Sequence, residues 1–376
     1  MKERRYQMIK KRYYTVLVST ILVFASMFAV VGMLYFHFDT HESVSLDPAE
    51  TIIYYDENNQ PVIKKPVESK VFNFLVLGHD RAASLTDVIM LINYNVTDGT
   101  IAIMQFPRDT YVSYGVPTNR INATYASYLR EARSNGSDTP QLDALRKFAD
   151  VLEEALCTNI NFCAVMDLNG FRNIVDAIGG VEMNVPRRMY YNDPEQGLYI
   201  NLQPGYQTLN GAQAEQFVRF RAGYLQADIG RQDAQKIFVS AFIEKVKKSV
   251  DVGTLTSLAG TVLDNLYTDI TVSDFVYFGK NLLSVDMSKI KMVSMPSNGA
   301  GGQLVMAKKP MIALINQYFN VYDTDITEAI FDKNKAFVNV NSQEYMNAYM
   351  SDEALYGGTE YDAGSVNEDS INIPGK

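Results

Sequence analysis

An uncharged apolar run near the amino terminus constrains this chain more than any other feature of its sequence. The run extends from Tyr13 to Phe36. A helix of that length would measure roughly 36 Å, which is enough to cross the roughly 30 Å hydrocarbon core of a bilayer. It is longer than the apolar part of a secretory signal peptide, and no clear Ala-x-Ala cleavage site follows it. We therefore predict an uncleaved transmembrane helix over residues 13–36, with a cleaved signal peptide as the alternative.

Charges on the two sides of this run predict its orientation. Residues 1–12 hold six Lys or Arg and one acidic residue, whereas no Lys or Arg occurs from His37 to Ile63. Basic flanks stay on the cytoplasmic side, so we predict a cytoplasmic basic segment over 1–12 and an extracellular body in a single-pass protein of the cell membrane.

The charge of the body excludes a generic nucleic-acid-binding protein. The chain carries a net charge of −9 and has no long basic run after the apolar segment. Nonspecific affinity for nucleic acid comes mainly from phosphates that basic side chains neutralise, so no nucleic-acid partner is expected. The short cytoplasmic segment also has no helix-turn-helix signal, which argues against a membrane-bound transcription regulator.

Alternating strand and helix patterns follow a polar extracellular stalk, which we predict over residues 37–70. Apolar runs that predict the first three strands lie at 71–78, 88–95 and 100–106, and the last two flank a turn signal and form a hairpin. Apolar residues recur at three- and four-residue steps after Ala144, which predicts a helix with one buried stripe. No linker or repeat divides this part of the chain. We therefore predict one α/β domain over residues 71–350.

The last residues of the chain have a different composition. Residues 351–376 combine many acidic residues with Gly, Ser and Asn and hold a single Lys. This composition is typical of a segment that cannot bury enough apolar surface to fold. We predict an acidic, disordered tail.

The two cysteines, Cys157 and Cys163, are six residues apart in the sequence CTNINFC. An extracellular location permits a disulfide between them. Two buried free thiols are the alternative, and the sequence leaves both open. The paired Cys and His of a zinc site are missing.

Two carboxylates follow the first predicted strand closely. In LGHDRAASLTD the strand ends at Gly78 and brings Asp80 and Asp87 into one short loop. Two nearby carboxylates repel each other unless a cation lies between them, and a hard divalent cation such as Mg²⁺ prefers oxygen ligands. The alternative is a solvated loop in which Asp87 caps the following segment.

Arginines mark two further places. Arg108 and Asp109 follow a predicted strand in FPRDTYV. This arginine can offer a planar fork of donors to a phosphate, or it can pair with Asp109 or another neighbour. Arg219 and Arg221 occur in FVRFRAG. Their side chains would point to one side of an extended segment and suit an anion, but on a helix they would diverge by about 200°. Two exposed, unpaired arginines are the alternative.

A long helical pattern begins at ADIGRQDAQKIFVSAF, with Asp228 near its start. Arg231 and Gln235 are four residues apart, so they share a face near the positive end of the helix, where an anion is favoured. Phe238 and Phe242 continue the same stripe. A helix face that is polar at its start and apolar further along suits a phosphate with an apolar tail. Such an apolar stripe is also typical of a helix that packs in a hydrophobic core.

These motifs occur in an order that is specific for one family. LGHDR, TDVIML, FPRDTYV, NRINATYA, FRNIVDAIGGVEMNV, GYQTLNGAQAEQFVRFR and DIGRQDAQ resemble the LytR-CpsA-Psr family of cell-wall glycopolymer ligases, over roughly residues 72–248. The resemblance implies a central mixed β-sheet flanked by helices, with a hydrophobic groove for a polyprenyl chain. It also implies phosphotransfer of a glycopolymer, such as teichoic acid or capsular polysaccharide, from an undecaprenyl-pyrophosphate carrier in the membrane to peptidoglycan.

The resemblance also implies roles for individual residues. It makes Asp80 and Asp87 the Mg²⁺ carboxylates. The residues that it makes pyrophosphate ligands are Arg108, Arg219, Arg221, Arg231 and Gln235. Where the family has Arg-Ser-Asp before the second strand, this chain has Leu85, Thr86 and Asp87, so one cation is missing and Arg81 is its candidate substitute. A second arginine of the family's late helix is Ala234 here.

The expected chemistry is stabilisation of a diphosphate by Mg²⁺ and arginines, with Arg108 in a catalytic role. The acceptor hydroxyl must lose a proton, and Asp109 and Asp228 are both candidates for accepting it. A noncatalytic module that binds lipid-linked or wall polymers in the same groove is the alternative function.

Overall fold

The computed structural model describes residues 49, 51–55, 61–80, 85–194, 198–220, 227–249, 252–332 and 335–364. The predicted cytoplasmic segment 1–12 and transmembrane helix 13–36 lie outside these residues. Within the described residues, no helix is both long and apolar enough to cross a bilayer.

Strands and helices alternate along the described part of the chain. The strands are β1 (Ile52–Tyr55), β2 (Pro61–Lys64), β3 (Val71–Asp80), β4 (Leu85–Asn95), β5 (Thr100–Phe106), β6 (Phe162–Met166), β7 (Val181–Val185), β8 (Met189–Asp193), β9 (Leu198–Leu202), β10 (Gly205–Leu209), β11 (Leu266–Thr268), β12 (Ile290–Ser294), β13 (Ser297–Ala300), β14 (Gln303–Met306) and β15 (Glu360–Asp362). The helices are α1 (Thr124–Ser134), α2 (Pro140–Leu156), α3 (Leu168–Ala177), α4 (Gly211–Arg219), α5 (Ala227–Ser249), α6 (Val252–Leu263), α7 (Val272–Leu282), α8 (Lys308–Leu314), α9 (Glu328–Phe331) and α10 (Gln343–Met350).

A seven-stranded mixed sheet forms the centre of the molecule, in the order β11-β6-β3-β4-β5-β12-β15. Strands β3, β4 and β5 form an antiparallel meander, as the three apolar runs and the turn between the last two predict. Strands β6 and β12 run parallel to β3 and β5, respectively. The central mixed sheet is therefore confirmed.

Helices cover this sheet because its central strands are apolar on both faces. Phe72 and Phe74 are two residues apart on β3 and share a face, where Phe278 of α7 lies edge-on to them at 4.9 and 5.0 Å between ring centroids. The stripe on α2 that begins at Ala144 is buried except at the partly buried Val151, and it includes Phe148. The helix predicted from that periodicity is confirmed.

The end of the predicted stalk packs against the domain. Val67 donates its backbone N–H to the carbonyl of Val321 at 3.0 Å, and Lys65 donates its N–H to the carboxylate of Asp323 at 3.2 Å. Apolar side chains hold this stretch in place. Val71 and Val321 belong to one small buried cluster, and the partly buried Val67 packs against that cluster. The stalk prediction is thus wrong for residues 61–70, which are part of the folded domain.

The predicted disordered tail is also wrong for residues 351–364. Residues 360–362 form β15, which pairs with β12 at the edge of the central sheet. Acidic residues suggested disorder, but two of them have partners in the fold. The Tyr318 hydroxyl donates to Glu360 at 2.7 Å, and Lys291 forms an ion pair with Asp362.

The same tail segment packs on α5. The Ser240 hydroxyl donates a hydrogen bond to the carbonyl of Ala363. The buried ammonium of Lys236 lies 4.5 Å from the centre of the Tyr361 ring and pairs with Asp233 at 3.0 Å.

A chain that ends at Met350 should therefore lose stability. Uncovering an edge strand and a buried ammonium should lower the free energy of unfolding by about 2 kcal/mol or more. We therefore expect the melting temperature to fall by several degrees. Thermal unfolding followed by circular dichroism measures this. A chain that ends at Gly364 keeps every described contact and is the matched control; equal melting temperatures for the two truncations would contradict the expectation.

Of the two alternatives for the cysteines, the structure shows free thiols. Cys157 and Cys163 are both buried and unpaired with each other. Burial raises the pKa of Cys157 to about 11 and also raises the pKa of Cys163.

Both thiols should react slowly in the folded protein. The reactive species is the thiolate, which at pH 8 amounts to about one part in a thousand for a thiol of pKa about 11. We expect little labelling by a disulfide reagent at pH 8 and two reactive thiols after unfolding in guanidinium. Rapid labelling of the native protein, or no labelling after unfolding without reductant, would contradict the free, buried assignment.

Candidate functional site

Several strands present their ends at one edge of the central sheet. Strands β3, β5, β6 and β12 all end there, and the antiparallel β4 begins there, as their pairing requires. We call this the carboxyl edge. The backbones of Asp80 and Asp87 lie on it, and Arg108 and Asp109 follow β5 directly, so four of the predicted site residues come from one edge.

A β-bulge makes Asp87 an extra residue in β4. Gly78 pairs with Val88, but the next residue of β3, His79, pairs with Thr86. Asp87 therefore has no partner on β3, and a bulge of this kind redirects the chain locally. The pairing of β4 with β5 ends at Ile89 and Phe106, so Asp87 and Arg108 each lie two residues beyond this last pair.

The loop that carries Arg108 is fixed by backbone hydrogen bonds. The N–H and hydroxyl of Thr110 both donate to the carbonyl of Pro107, at 3.0 and 2.6 Å, and close a tight turn. On its other side the loop pairs with β14, since Leu304 donates its N–H to the carbonyl of Asp109 at 3.1 Å. Strand β14 belongs to a part of the chain to which the sequence assigns no role; here it holds the candidate site in place.

Asp109 lies between two arginines. Its Oδ2 is 3.5 Å from Nε of Arg108, and its Oδ1 is 3.2 Å from Nε of Arg120. Only 15% of the Arg108 side chain is exposed. One carboxylate thus lies within ion-pair distance of two guanidinium groups, and the three side chains together keep a positive charge that suits an anionic ligand.

The sequence motifs do not single out Arg120, although it lies in the quoted NRINATYA. It reaches the site because its backbone forms a bridge with Tyr111. The only local signal is the turn that starts at Pro117, and this signal does not reveal which acidic residue the arginine meets.

Arg219 is the last residue of α4, so the helical alternative is confirmed for it. Its side chain is 5% exposed and forms an ion pair with Glu215, one turn earlier. Glu215 also forms an ion pair with Arg172 of α3. Arg219 is therefore neither exposed nor distant from an acidic residue, and the expectation of two converging arginines without such a partner is wrong for it. The i,i+4 spacing of Glu215 and Arg219 was the available signal. Arg221 lies outside the described residues.

Helix α5 begins at Ala227, so the prediction of a helix opening near Asp228 is confirmed for the backbone, which includes Arg231. Gln235 is fully buried, and its Oε1 accepts a hydrogen bond from Nε2 of Gln105 on β5 at 2.7 Å. Gln105 precedes Arg108 by three residues. This hydrogen bond therefore ties α5 to the strand that leads into the arginine loop.

The apolar track on α5 is core. Phe238 and Phe242 are fully buried, and the Phe238 ring also lies 6.0 Å from that of Phe171 and 6.2 Å from that of Phe217. Of the two alternatives for this stripe, the structure shows core packing. The polyprenyl groove that the resemblance implies stays a prediction.

The backbone positions of Asp80 and Asp87 are compatible with the predicted Mg²⁺ site at the carboxyl edge. No group of three or more His, Cys, Asp or Glu in the described part of the chain could hold a metal by itself. Mg²⁺ commonly binds one or two carboxylates and completes its shell with substrate phosphates and water. The β-bulge places the backbone of Asp87 at the end of β3, where the backbone of Asp80 also lies. Arg81, the candidate substitute for the missing cation, lies outside the described residues.

The two departures from the family pattern are apolar in the structure as well. Leu85 is partly buried and packs on the core, and Ala234 is fully buried. Neither position offers a donor to a phosphate.

Comparison with known proteins agrees with this architecture. Residues 42–335 match the model of the LytR_cpsA_psr family. The chain is 22% identical over 218 residues to the polyisoprenyl-teichoic acid–peptidoglycan teichoic acid transferase TagV of Bacillus subtilis. This alignment covers 55% of this chain and 52% of TagV. It is 28% identical over 264 residues to TagU of Oceanobacillus iheyensis, which has the same transferase name, with 68% and 74% covered. The match spans about half the length of the first relative.

A solved structure also has the same fold. The protein gbs0355 from Streptococcus agalactiae superposes with a TM-score of 0.52 and 19% identity, and the match covers 69% of this chain and 92% of that one. At this level of identity the likeness extends to the fold, a mixed sheet flanked by helices.

Proposed function

The chain belongs to the LytR-CpsA-Psr family, and from this we propose that it transfers a glycopolymer to peptidoglycan as a membrane-anchored extracellular phosphotransferase. The donor is a glycopolymer of teichoic acid or capsular polysaccharide type on an undecaprenyl-pyrophosphate carrier. One observation carries the proposal: the Arg108–Asp109–Arg120 cluster follows β5 at the edge where Asp80 and the bulged Asp87 lie. The names of the relatives support the same reaction.

The proposed reaction exchanges a phosphoanhydride bond of the pyrophosphate for a phosphoester bond to the acceptor. The acceptor hydroxyl oxygen of peptidoglycan bonds to the phosphorus that carries the glycopolymer, and the bond from that phosphorus to the bridging oxygen breaks. Undecaprenyl phosphate leaves with the electron pair, and the product is a phosphodiester. The hydroxyl proton passes to Asp109 or Asp228.

The arginines stabilise the charge that develops on the leaving phosphate. Arg108 binds the pyrophosphate with its terminal nitrogens, while the Asp109 carboxylate lies 3.5 Å from its Nε. Arg120 is held beside it by the other oxygen of the same carboxylate. Asp80 and Asp87 would hold Mg²⁺, which would supply further neutralisation of the diphosphate. Because Arg108 and Arg120 are held beside Asp109 before the substrate arrives, little reorganisation of these arginines accompanies the reaction.

The test uses the full chain in detergent with a lipid-pyrophosphate glycopolymer, peptidoglycan and Mg²⁺. We expect release of the lipid phosphate together with covalent attachment of the polymer, and loss of both when the metal is chelated. Asp87→Asn should lower the rate by about 10² or more, because it removes a charged metal ligand.

Asp98→Asn is the matched control, since Asp98 is an exposed turn residue between β4 and β5 at the opposite edge of the sheet. Its rate should stay within a factor of about two, as for ordinary surface substitutions. Transfer that is independent of the metal, or equal rates for the two variants, would contradict the proposal.

The noncatalytic binding module has one observation in its favour. Leu85 and Ala234 replace two arginines of the family pattern with side chains that pack in or on the core. In the same assay, tight binding of the lipid donor without release of its phosphate would favour this alternative.

A further inference from the structure

A cavity lies at the carboxyl edge, beside the candidate transfer site. It has a volume of about 790 Å³, within the range of about 300–1,000 Å³ that is usual for ligand sites. His79 lines it, and the next residue of the chain is Asp80. The His79 ring packs edge-on against Tyr125 of α1 at 5.1 Å between centroids, so α1 forms the adjoining wall.

Two arginines on that wall have no acidic partner among the described residues. Arg130 and Arg133 are three residues apart on α1, so they share a face of the helix, and both are exposed. Neither takes part in an ion pair or a side-chain hydrogen bond in the described part of the chain. The neighbouring acidic residue on α1, Glu131, is already paired with Lys147 at 2.6 Å.

Another part of the cavity lining has different chemistry. It presents the carboxylate of Asp264, the amide of Asn265 and the exposed phenol of Tyr267. These groups are held by local structure: Asn265 Nδ2 donates to the carbonyl of Thr261 at 2.6 Å, and its Oδ1 accepts from Asn173 at 2.9 Å. Carboxylates and amides suit the hydroxyl groups of a sugar or polyol, and a phenol ring suits its C–H face.

We propose that this cavity binds the phosphate-bearing repeat of the donor glycopolymer, a sugar or polyol phosphate. The phosphate would lie against Arg130 and Arg133, and the hydroxyl groups would face Asp264 and Asn265. The inference rests on the proposed function, since it assigns the polymer next to the pyrophosphate to a cavity next to Asp80. An anionic polymer needs this local positive charge because the body of the protein is acidic.

Binding of a synthetic glycerol phosphate hexamer to the full chain in detergent tests the inference without any turnover. Arg130→Gln/Arg133→Gln should weaken binding by roughly tenfold or more, and each single change by roughly threefold, as two charge-assisted contacts are lost. Rising salt should weaken binding to the unaltered protein and affect the double variant less. Both side chains are exposed, so folding should be unaffected.

The matched control is Lys65→Gln/Lys280→Gln, which removes two exposed charges outside the cavity and should change binding less than about twofold. Three results would overturn the inference: no binding of the hexamer at millimolar concentration, equal loss in the control, or a neutral N-acetylglucosamine tetrasaccharide that binds with the same dependence on the two arginines.

The transfer assay separates this inference from the proposed function. We expect the double variant to raise KM for a donor with a phosphate-bearing polymer and to leave kcat unchanged, because the arginines bind a part of the substrate that does not react. Arginine-dependent hexamer binding without any transfer would reject the phosphotransferase and keep the polymer site. Glycopolymer transfer together with unchanged hexamer binding in the double variant would keep the phosphotransferase and reject the polymer site.

Discussion

Arg108→Ala should reduce glycopolymer transfer by about 10²–10³, the usual effect of removing one preorganised donor from a developing negative charge. Arg108 follows β5 at the carboxyl edge, and its loop is fixed by the turn at Pro107 and by β14. Only 15% of the Arg108 side chain is exposed, so the substitution removes a donor that is already held at the edge of the sheet. The measurement is the initial rate of lipid phosphate release.

Two further variants identify the cause of that loss. Arg108→Lys keeps the charge but not the planar fork, so it should recover only part of the rate. Arg188→Ala is the matched control, because Arg188 packs over the Tyr190 ring just before β8, and it should transfer at nearly the normal rate. A rate for Arg108→Ala within about threefold of normal, with an unchanged melting temperature, would remove Arg108 from the chemistry.

The meander at the centre of the sheet could be predicted from the sequence because its signals are local. Each of β3, β4 and β5 is a continuous apolar run, and a turn signal separates the last two. The residues at the ends of these strands could be predicted for the same reason. Polar residues that directly follow a buried strand must lie at its end, which is how Asp80 and Arg108 were found.

The features that could not be predicted depend on pairing between distant residues. The bulge at Asp87 exists only relative to β3, and the pairing of Arg120 with Asp109 depends on how a loop closes. The strand at Glu360–Asp362 was hidden because its acidic composition suggested disorder. Its partners, such as Lys291, lie some 70 residues earlier in the sequence.

The ion pair of Arg219 with Glu215 could be predicted only in part. Glu215 precedes it by four residues, which is a local signal, but it has meaning only once the segment is known to be a helix. The family motif directs attention to the arginine and to a phosphate. The structure adds that the arginine is 5% exposed and already paired, so a structural role has to be separated from a binding role by experiment.

Glu215→Ala should lower the free energy of unfolding by about 3–5 kcal/mol, because it leaves the guanidinium of Arg219 buried without its carboxylate. The contact with Arg172 adds little, since that side chain is 40% exposed and largely solvated. Denaturant unfolding measures the loss. Glu244→Ala breaks a pair of the same spacing with Lys248 on an exposed face, and it should leave the free energy of unfolding nearly unchanged.

Replacing both members of the buried pair separates stability from chemistry. Glu215→Leu/Arg219→Met puts apolar side chains of similar size in the same space, and such a replacement is often neutral or stabilising. If Arg219 also binds the pyrophosphate, this variant should unfold nearly as the unaltered protein does and yet transfer glycopolymer at least about tenfold more slowly. Normal transfer by the stable double variant would assign Arg219 to the fold alone, and a loss below about 1 kcal/mol for Glu215→Ala would contradict burial of the pair.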